Sequence, residues 1–296
     1  MPLSKNILTV VIVSFKSDKV IDNCIQSIPR NIEIIVVDNS NNKLFKKNLE
    51  MKYRNVTCIL SKKNLGMGAG NNLGLKHVNS TYALILNPDL IMHKNAINQI
   101  IKELKKNITF CILAPISDNV NYPNFKISRQ NSHNINKLKM FNVESVDGYA
   151  MVLNLKRLNL ILHIKENNFF DENFFMYLEN DDLCKRVVKK GEKIFVLPKS
   201  KVNHFGSKAV DPKYKYEVEL SRNWHWVWSK FYYNKKHYGY FFALVSGLPS
   251  FLTSFVKYLL YFLIGKKFKR KIYLQRISGF WNALLCRESF YRPNIK

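Results

Sequence analysis

Three short polar clusters interrupt otherwise apolar stretches in the N-terminal part of this chain: Asp38-Asn39-Ser40, Asn64-Leu65-Gly66 and Asn87-Pro88-Asp89. A carboxylate in such a place can accept hydrogen bonds from a base or ribose, or bind a hard divalent cation through oxygen. The same residues are also common turn formers. A fourth cluster, Glu179-Asn180-Asp181-Asp182, offers carboxylates for proton transfer and equally suits the start of a helix. Glu179 and Asp182, three residues apart, would share a helix face. His204 is an imidazole that can bind a metal, manganese better than magnesium or calcium, or sit satisfied in the structure. Asn64–Gly74 carries Gly66, Gly68, Gly70 and Gly74. It is no dinucleotide fingerprint, because Leu73 stands where the last glycine of a motif begun at Gly68 belongs. Nor does a Lys-Ser/Thr pair follow to make a phosphate loop.

The elements that must position these residues follow from periodicity. Ile7–Phe15, Ile32–Val37, Val56–Leu60 and Tyr82–Leu86 read as strands; Lys19–Ile28, Met67–Val78 and Asn95–Lys105 read as helices. Near-continuous apolar strands alternating with helices predict an α/β fold with a mostly parallel sheet covered on both faces. In such sheets ligands bind beyond the carboxyl ends of the strands, where all three clusters fall. Ser117–Met140 is polar and reads as a long connection. Structure is expected to resume at Val143–Leu153, with a helix over Glu179–Lys190 and a strand over Lys193–Leu197 that Pro198 ends.

From Lys213 the character changes. Lys213–Tyr233 is helical and aromatic, with Trp224, Trp226 and Trp228 suited to a buried helix face or to stacking. Phe241–Ile264 carries Lys257 as its one charge and is followed by Lys266, Lys267, Lys269, Arg270 and Lys271. Its length could span a bilayer. A place in the interface, a true span and a helix buried against the rest are all open, and the basic flank favours the interface at an anionic cytoplasmic face. The expected division is residues 1–212 as the catalytic domain and 213–296 as a helical, membrane-associating region.

The 296 residues carry 47 Lys and Arg against 21 Asp and Glu, a formal net charge of +26. Such a surface favours polyanions, whether nucleic acid, an anionic membrane or pyrophosphate-bearing substrates. No zinc finger, RNP-like strand or concentrated basic recognition helix marks a specific nucleic-acid binder. Five widely spaced cysteines without a CxxC pair argue against a zinc cluster or a disulfide framework and suit a reducing cytosol.

Taken in order, Val36-Val37-Asp38-Asn39-Ser40, Asn64-x-Gly66 running to Asn71-Asn72-x-Gly74, Leu86-Asn87-Pro88-Asp89, and Phe170-Asp171-Glu172-x-Phe174-Phe175-Met176-Tyr177-x-Glu179 with Asp182-Leu183-Cys184 resemble the family 2 glycosyltransferases of GT-A fold, in their rhamnosyltransferase-like branch. The resemblance covers roughly residues 7 to 210. It implies metal-dependent, inverting transfer of a sugar from a nucleotide-sugar donor, such as dTDP-rhamnose, to a lipid-linked or oligosaccharide acceptor in bacterial surface polysaccharide synthesis. The basic flank of Phe241–Ile264 is expected to hold such an enzyme at the inner face of the cytoplasmic membrane. By resemblance, Asp38 and Asn39 meet the nucleoside, Asn64, Gly66 and Asn72 border the donor, and Asp147 and Gly148 line the donor sugar or acceptor pocket. Asn87 and Asp89 occupy the position of the family's Asp-x-Asp motif, so Asp89 and His204 become the expected ligands of Mn2+ or Mg2+. The base is expected among Glu179, Asp182 and Asp181, in that order, because Asn180 stands where the family commonly has its base. A membrane scaffold of this fold without catalysis is the alternative reading.

Overall fold

The computed structural model describes residues 7–106, 108–119, 121–127, 139–204, 209–293 and 295. Part of the connection expected over Ser117–Met140, and Phe205–Ser207 after His204, lie outside them. The chain divides into two compact units: Met1–Asp171 with Asn180–Asp211, and Glu172–Glu179 with Pro212–Lys296.

The first unit opens with β1 (Leu8–Ser14), α1 (Ile21–Gln26), β2 (Glu33–Asp38), α2 (Lys43–Lys52), β3 (Val56–Leu60), α3 (Met67–Leu75) and β4 (Tyr82–Leu86). The four strands lie in the order β3-β2-β1-β4, all parallel, as crossover helices require. Alternate residues serve two cores: Val10, Ile12, Ile34 and Val36 belong to one, Val11, Ile35, Ala83 and Ile85 to the other. That double burial is why these strands read as unbroken apolar runs. Helix α3 lies close on the sheet because it is glycine-rich. A Cβ at Gly74 would stand 2.5 Å from Val11 Cγ1, and one at Gly70 2.8 Å from Val13 Cγ1.

The chain continues through β5 (Leu90–Met92), α4 (Ala96–Leu104), β6 (Ile112–Ser117), β7 (Phe125–Lys126), β8 (Phe141–Val143), β9 (Ser145–Val146), β10 (Ala150–Asn154), α5 (Leu155–Leu162), α6 (Glu179–Lys189) and β11 (Ile194–His204). The sheet extends as β4-β10-β6-β11-β5. Strand β10 runs antiparallel to both neighbours, so the mostly parallel sheet is mixed at its centre. Strand β11 does not stop at Pro198: its register on β6 shifts between Leu197 and Lys201 and it runs on to His204. A proline cannot donate to a ladder and is accommodated at such an irregularity. The extension then pairs antiparallel with β5 and sets His204 opposite Leu90, next in chain to Asp89.

The second unit is helical: α7 (Lys215–Tyr238), α8 (Tyr240–Leu263) and α9 (Lys267–Leu284) around Trp224, Val227, Trp228, Phe231, Ala243, Phe280 and Ala283. The basic run after α8 is therefore largely the first turn of a further helix. The aromatic string before Glu179 docks on α7. Phe174 meets Tyr232 edge-on at 4.9 Å, Ser229 donates to Met176 O at 2.8 Å, and Arg222 donates to the Tyr177 hydroxyl at 2.8 Å.

Buried His225 lies 2.8 Å from Tyr291 O through Nε2 and 3.2 Å from Ser289 Oγ through Nδ1. A carbonyl only accepts, so Nε2 carries the proton and Nδ1 accepts from the hydroxyl. Burial lowers its pKa to about 3, with a smaller push from Arg292 and opposed by the bond to Tyr291. The unfolded chain therefore takes up the proton first, and stability falls as pH drops through 6.5 toward 3. One pH unit below the unperturbed value the loss is about 1.4 kcal/mol. We expect denaturant unfolding to show this decline, and His225→Asn to show a flatter acid limb.

Candidate active site

At the end of β2, Asp38 is buried and accepts the backbone N–H of Ser40 at 3.0 Å and of Asn42 at 2.8 Å. Burial pushes its carboxyl above the ordinary range, while those N–H groups pull the other way. Asn39 ties the neighbouring clusters together: its Nδ2 donates to Gly66 O at 3.0 Å, and its Oδ1 accepts from Ser61 Oγ at 3.1 Å. Asn64 Oδ1 accepts from Gly66 N at 3.1 Å. Gly66 has φ +83°, a conformation that favours glycine. The second and third strand ends thus form one hydrogen-bonded corner. Asn72 is turned to a different task, bonding Phe170 N at 2.9 Å and Phe170 O at 2.8 Å.

At the end of β4, the Asn87–Asp89 turn is held by Asn87 N donating to Tyr149 O at 2.8 Å and Leu90 N donating to Asn87 O at 3.3 Å. The β5–β11 pairing brings Asp89 Oδ2 to 3.8 Å from His204 Nε2. That is too far for a hydrogen bond. It lies within the separation of two donors that each sit about 2.1 Å from a shared cation. Asn87 Oδ1 is buried without a hydrogen-bond partner among the described residues. No cluster of three His, Cys, Asp or Glu side chains able to hold a metal occurs among those residues. A donor set of one carboxylate and one imidazole fits a cation that takes its other ligands from a substrate and water.

A third group surrounds the start of α6. Asn180 Nδ2 donates to Val146 O at 2.9 Å, and a Cβ on Gly148 would stand 2.9 Å from Asn180 Cβ. Asn180 and Gly148 together hold the Asp147 turn against the helix. The Asp147 carboxyl is raised, first by desolvation and then by the Asp181 charge, with Lys126 and His204 opposing. Asp181 pairs with Lys126 at 2.8 Å. Asp182 has no exposed surface and accepts from Arg186 at 2.8 Å, and Arg186 in turn donates to Phe169 O. Glu179 follows Tyr177 and Leu178, both left-handed at φ +70° and +67°. Two such non-glycine residues in succession are costly and mark a backbone held by its surroundings.

Sequence reasoning did not single out Tyr149 or Lys126. The Tyr149 ring lies 4.3 Å from that of His204 and its hydroxyl pKa is pushed up to about 12, chiefly by burial. The adjacency of Asp147-Gly148-Tyr149 was the one available signal. Lys126 sits on a two-residue strand with no periodicity to mark it.

A family model described as glycosyl transferase family 2 matches residues 9–158. The chain is 27% identical over 195 residues to the low-salt glycan biosynthesis hexosyltransferase Agl10 of Haloferax volcanii, covering 60% of this chain and 61% of that protein. It therefore spans less than two thirds of that relative's length. Among solved structures it resembles a mannosyltransferase of Pyrobaculum calidifontis in complex with GDP-Man and Mn2+, at 14% identity and TM-score 0.54, covering 97% of this chain and 89% of that one. It also resembles GalNAc-T7 with UDP, GalNAc and Mn2+, at 14% identity and TM-score 0.53, covering 75% of this chain and 52% of that one. The fold is that of the GT-A enzymes.

Asn72→Ala would leave two buried backbone groups of Phe170 without their partner. We expect a loss of about 2 kcal/mol or more in urea unfolding, whether or not a donor is present.

Proposed function

The chain belongs to glycosyl transferase family 2, and we propose that it transfers a hexose or deoxyhexose from a nucleoside-diphosphate sugar to an acceptor hydroxyl. The observation that carries this reading is Asp89 Oδ2 set 3.8 Å from His204 Nε2. The branch resemblance favours rhamnose from a dTDP donor, and the Haloferax relative is named a hexosyltransferase. We assign the nucleoside to the Asp38 corner with Asn64 and Gly66, and the sugar to Asp147 and Gly148. Asn39 and Asn72 act by fixing the shapes of these loops. A divalent cation, Mn2+ or Mg2+, held by Asp89 and His204 would supply positive charge that offsets the charge growing on the departing diphosphate. Both GT-A neighbours named above hold Mn2+, in keeping with that assignment.

Glu179 is assigned as the base. Asp182 has no exposed surface and Asp181 is paired with Lys126; the order given by the family resemblance keeps Glu179 first. Glu179 takes the proton of the acceptor hydroxyl as that oxygen bonds to the anomeric carbon. The bond from this carbon to the diphosphate breaks, its electron pair leaves on the nucleoside diphosphate, and the configuration inverts.

The helical unit is assigned to the cytoplasmic face of an anionic membrane, with a lipid-linked or growing cell-surface glycan as acceptor. Tyr240–Leu263 is long and apolar enough to cross a membrane and is mostly uncovered. Lys266, Lys267, Lys269, Arg270 and Lys271 follow it.

The test is release of nucleoside diphosphate from a panel of nucleotide sugars, with Mn2+ and with a chelator. We expect chelator-sensitive release from one donor. Asp89→Ala should slow it by about 10²–10³-fold. Glu179→Gln should cut transfer by about 10²–10⁴-fold while donor binding persists. Release that is indifferent to both chelator and Asp89→Ala would contradict the reading, and no release with no donor binding would favour the scaffold.

A further inference from the structure

Helix α8 is inverted relative to a helix of a water-exposed bundle. Its most deeply covered residues are small or polar, with Leu244 and Phe251 partly buried beside them. Ala243 is fully buried, Asn234 donates to Ser246 Oγ at 2.9 Å, and a Cβ on Gly247 would stand 2.6 Å from the Phe280 ring. Further along, Arg276 of α9 reaches Ser254 Oγ at 3.3 Å and Ser250 Oγ at 3.4 Å, and also Asn223 of α7 at 3.3 Å. The opposite stripe is large and apolar: Phe241, Val245, Leu252, Val256, Leu259 and Leu263 are all exposed. Small residues inside and large apolar residues outside form the pattern of a helix whose outer face meets lipid.

The neighbours of α8 decide how it meets lipid. Helix α9 runs beside it from end to end. Tyr240 donates to Leu284 O at 3.0 Å at one end, Arg276 sits midway, and Tyr261 stacks on Tyr273 at 5.5 Å near the other. Helix α7 lies against it through Asn234 and through Phe231, whose ring lies 5.8 Å from Tyr240. A bilayer-crossing α8 would carry both neighbours with it, including Lys269, Arg270, Lys271 and Arg276 of α9 and Arg222, Lys230, Lys235 and Lys236 of α7. Charges of that number are not tolerated in hydrocarbon.

We infer that α8 is an in-plane element that lays one face into a single leaflet of an anionic bilayer and does not span it. The basic run at its C-terminal end suits anionic headgroups at the same level. Lys257 and Lys269 lie over Tyr273 and Tyr261, 5.5 and 5.4 Å from the ring centroids. This inference rests on the membrane assignment proposed above and fixes its geometry.

The test uses the full chain with Cys286→Ser, because Cys286 is exposed and the other four cysteines are buried. Phe241→Cys, Leu252→Cys and Leu263→Cys are made singly in that background. At about 100° per residue, eleven-residue steps keep these three positions on one face. Each variant carries an environment-sensitive fluorophore and is bound to vesicles of phosphatidylglycerol and phosphatidylcholine. Lipids with quenchers at graded depths then report the depth of each label, and circular dichroism confirms an unchanged helix content. Equal, shallow depths at all three positions, with binding that weakens as phosphatidylglycerol is removed, are the expected result. Leu252→Cys at the bilayer centre with the two end labels near opposite surfaces would overturn the in-plane geometry and leave the membrane assignment standing. No vesicle binding by any variant or by the parent would overturn both.

Discussion

Burial of the central strands on both faces is the constraint from which the rest of the first unit follows. Side chains along the middle of β1, β2 and β4 are buried, so polar chemistry concentrates where the strands end. Asp38, Asn39, Asn87 and Asp89 stand at those ends. The glycines of α3 serve the same constraint. Gly70 and Gly74 let the helix lie close on Val13 and Val11 and pack against the sheet.

The second determinant is the pairing of β5 with β11. Neither Asp89 nor His204 is near the other in sequence, and β11 reaches β5 only because it continues past the irregularity at Pro198. The antiparallel register then fixes the carboxylate and the imidazole at opposed strand ends. Tyr149 supports both sides, bonding the Asn87 amide through its carbonyl and covering the His204 ring with its own. One carboxylate and one imidazole are few ligands for a divalent cation, so a cation proposed there would need a substrate diphosphate to complete its shell.

Much of this was legible from residue types. The apolar runs marked four strands nearly to their ends, and the polar clusters fell just beyond strand ends. Other features were not legible, for identifiable reasons. Helix α2 hides because its segment is rich in Lys and Asn and buries only Phe45 and Leu49. The reversed direction of β10 leaves no trace in a buried apolar run. Pro198 reads as a strand end because only the partner strand reveals the register shift. Asn72 and Asp182 look like site residues by type, and only tertiary contacts show the first bonded to Phe170 and the second enclosed by Arg186. The aromatic string before Glu179 has its reason in α7, far along the chain.

Asp89 and His204 are proposed to form half of a metal site that a nucleoside diphosphate completes. Titration of Mn2+, with free ion followed by electron paramagnetic resonance, tests it directly when done with and without UDP, GDP or dTDP. Linkage requires that nucleotide and metal tighten each other equally. The account predicts weak binding of Mn2+ to the protein alone, tightened about tenfold or more by one of the nucleotides, and loss of that tightening in Asp89→Ala and in His204→Ala. Tight binding without nucleotide, or tightening that survives both substitutions, would contradict it.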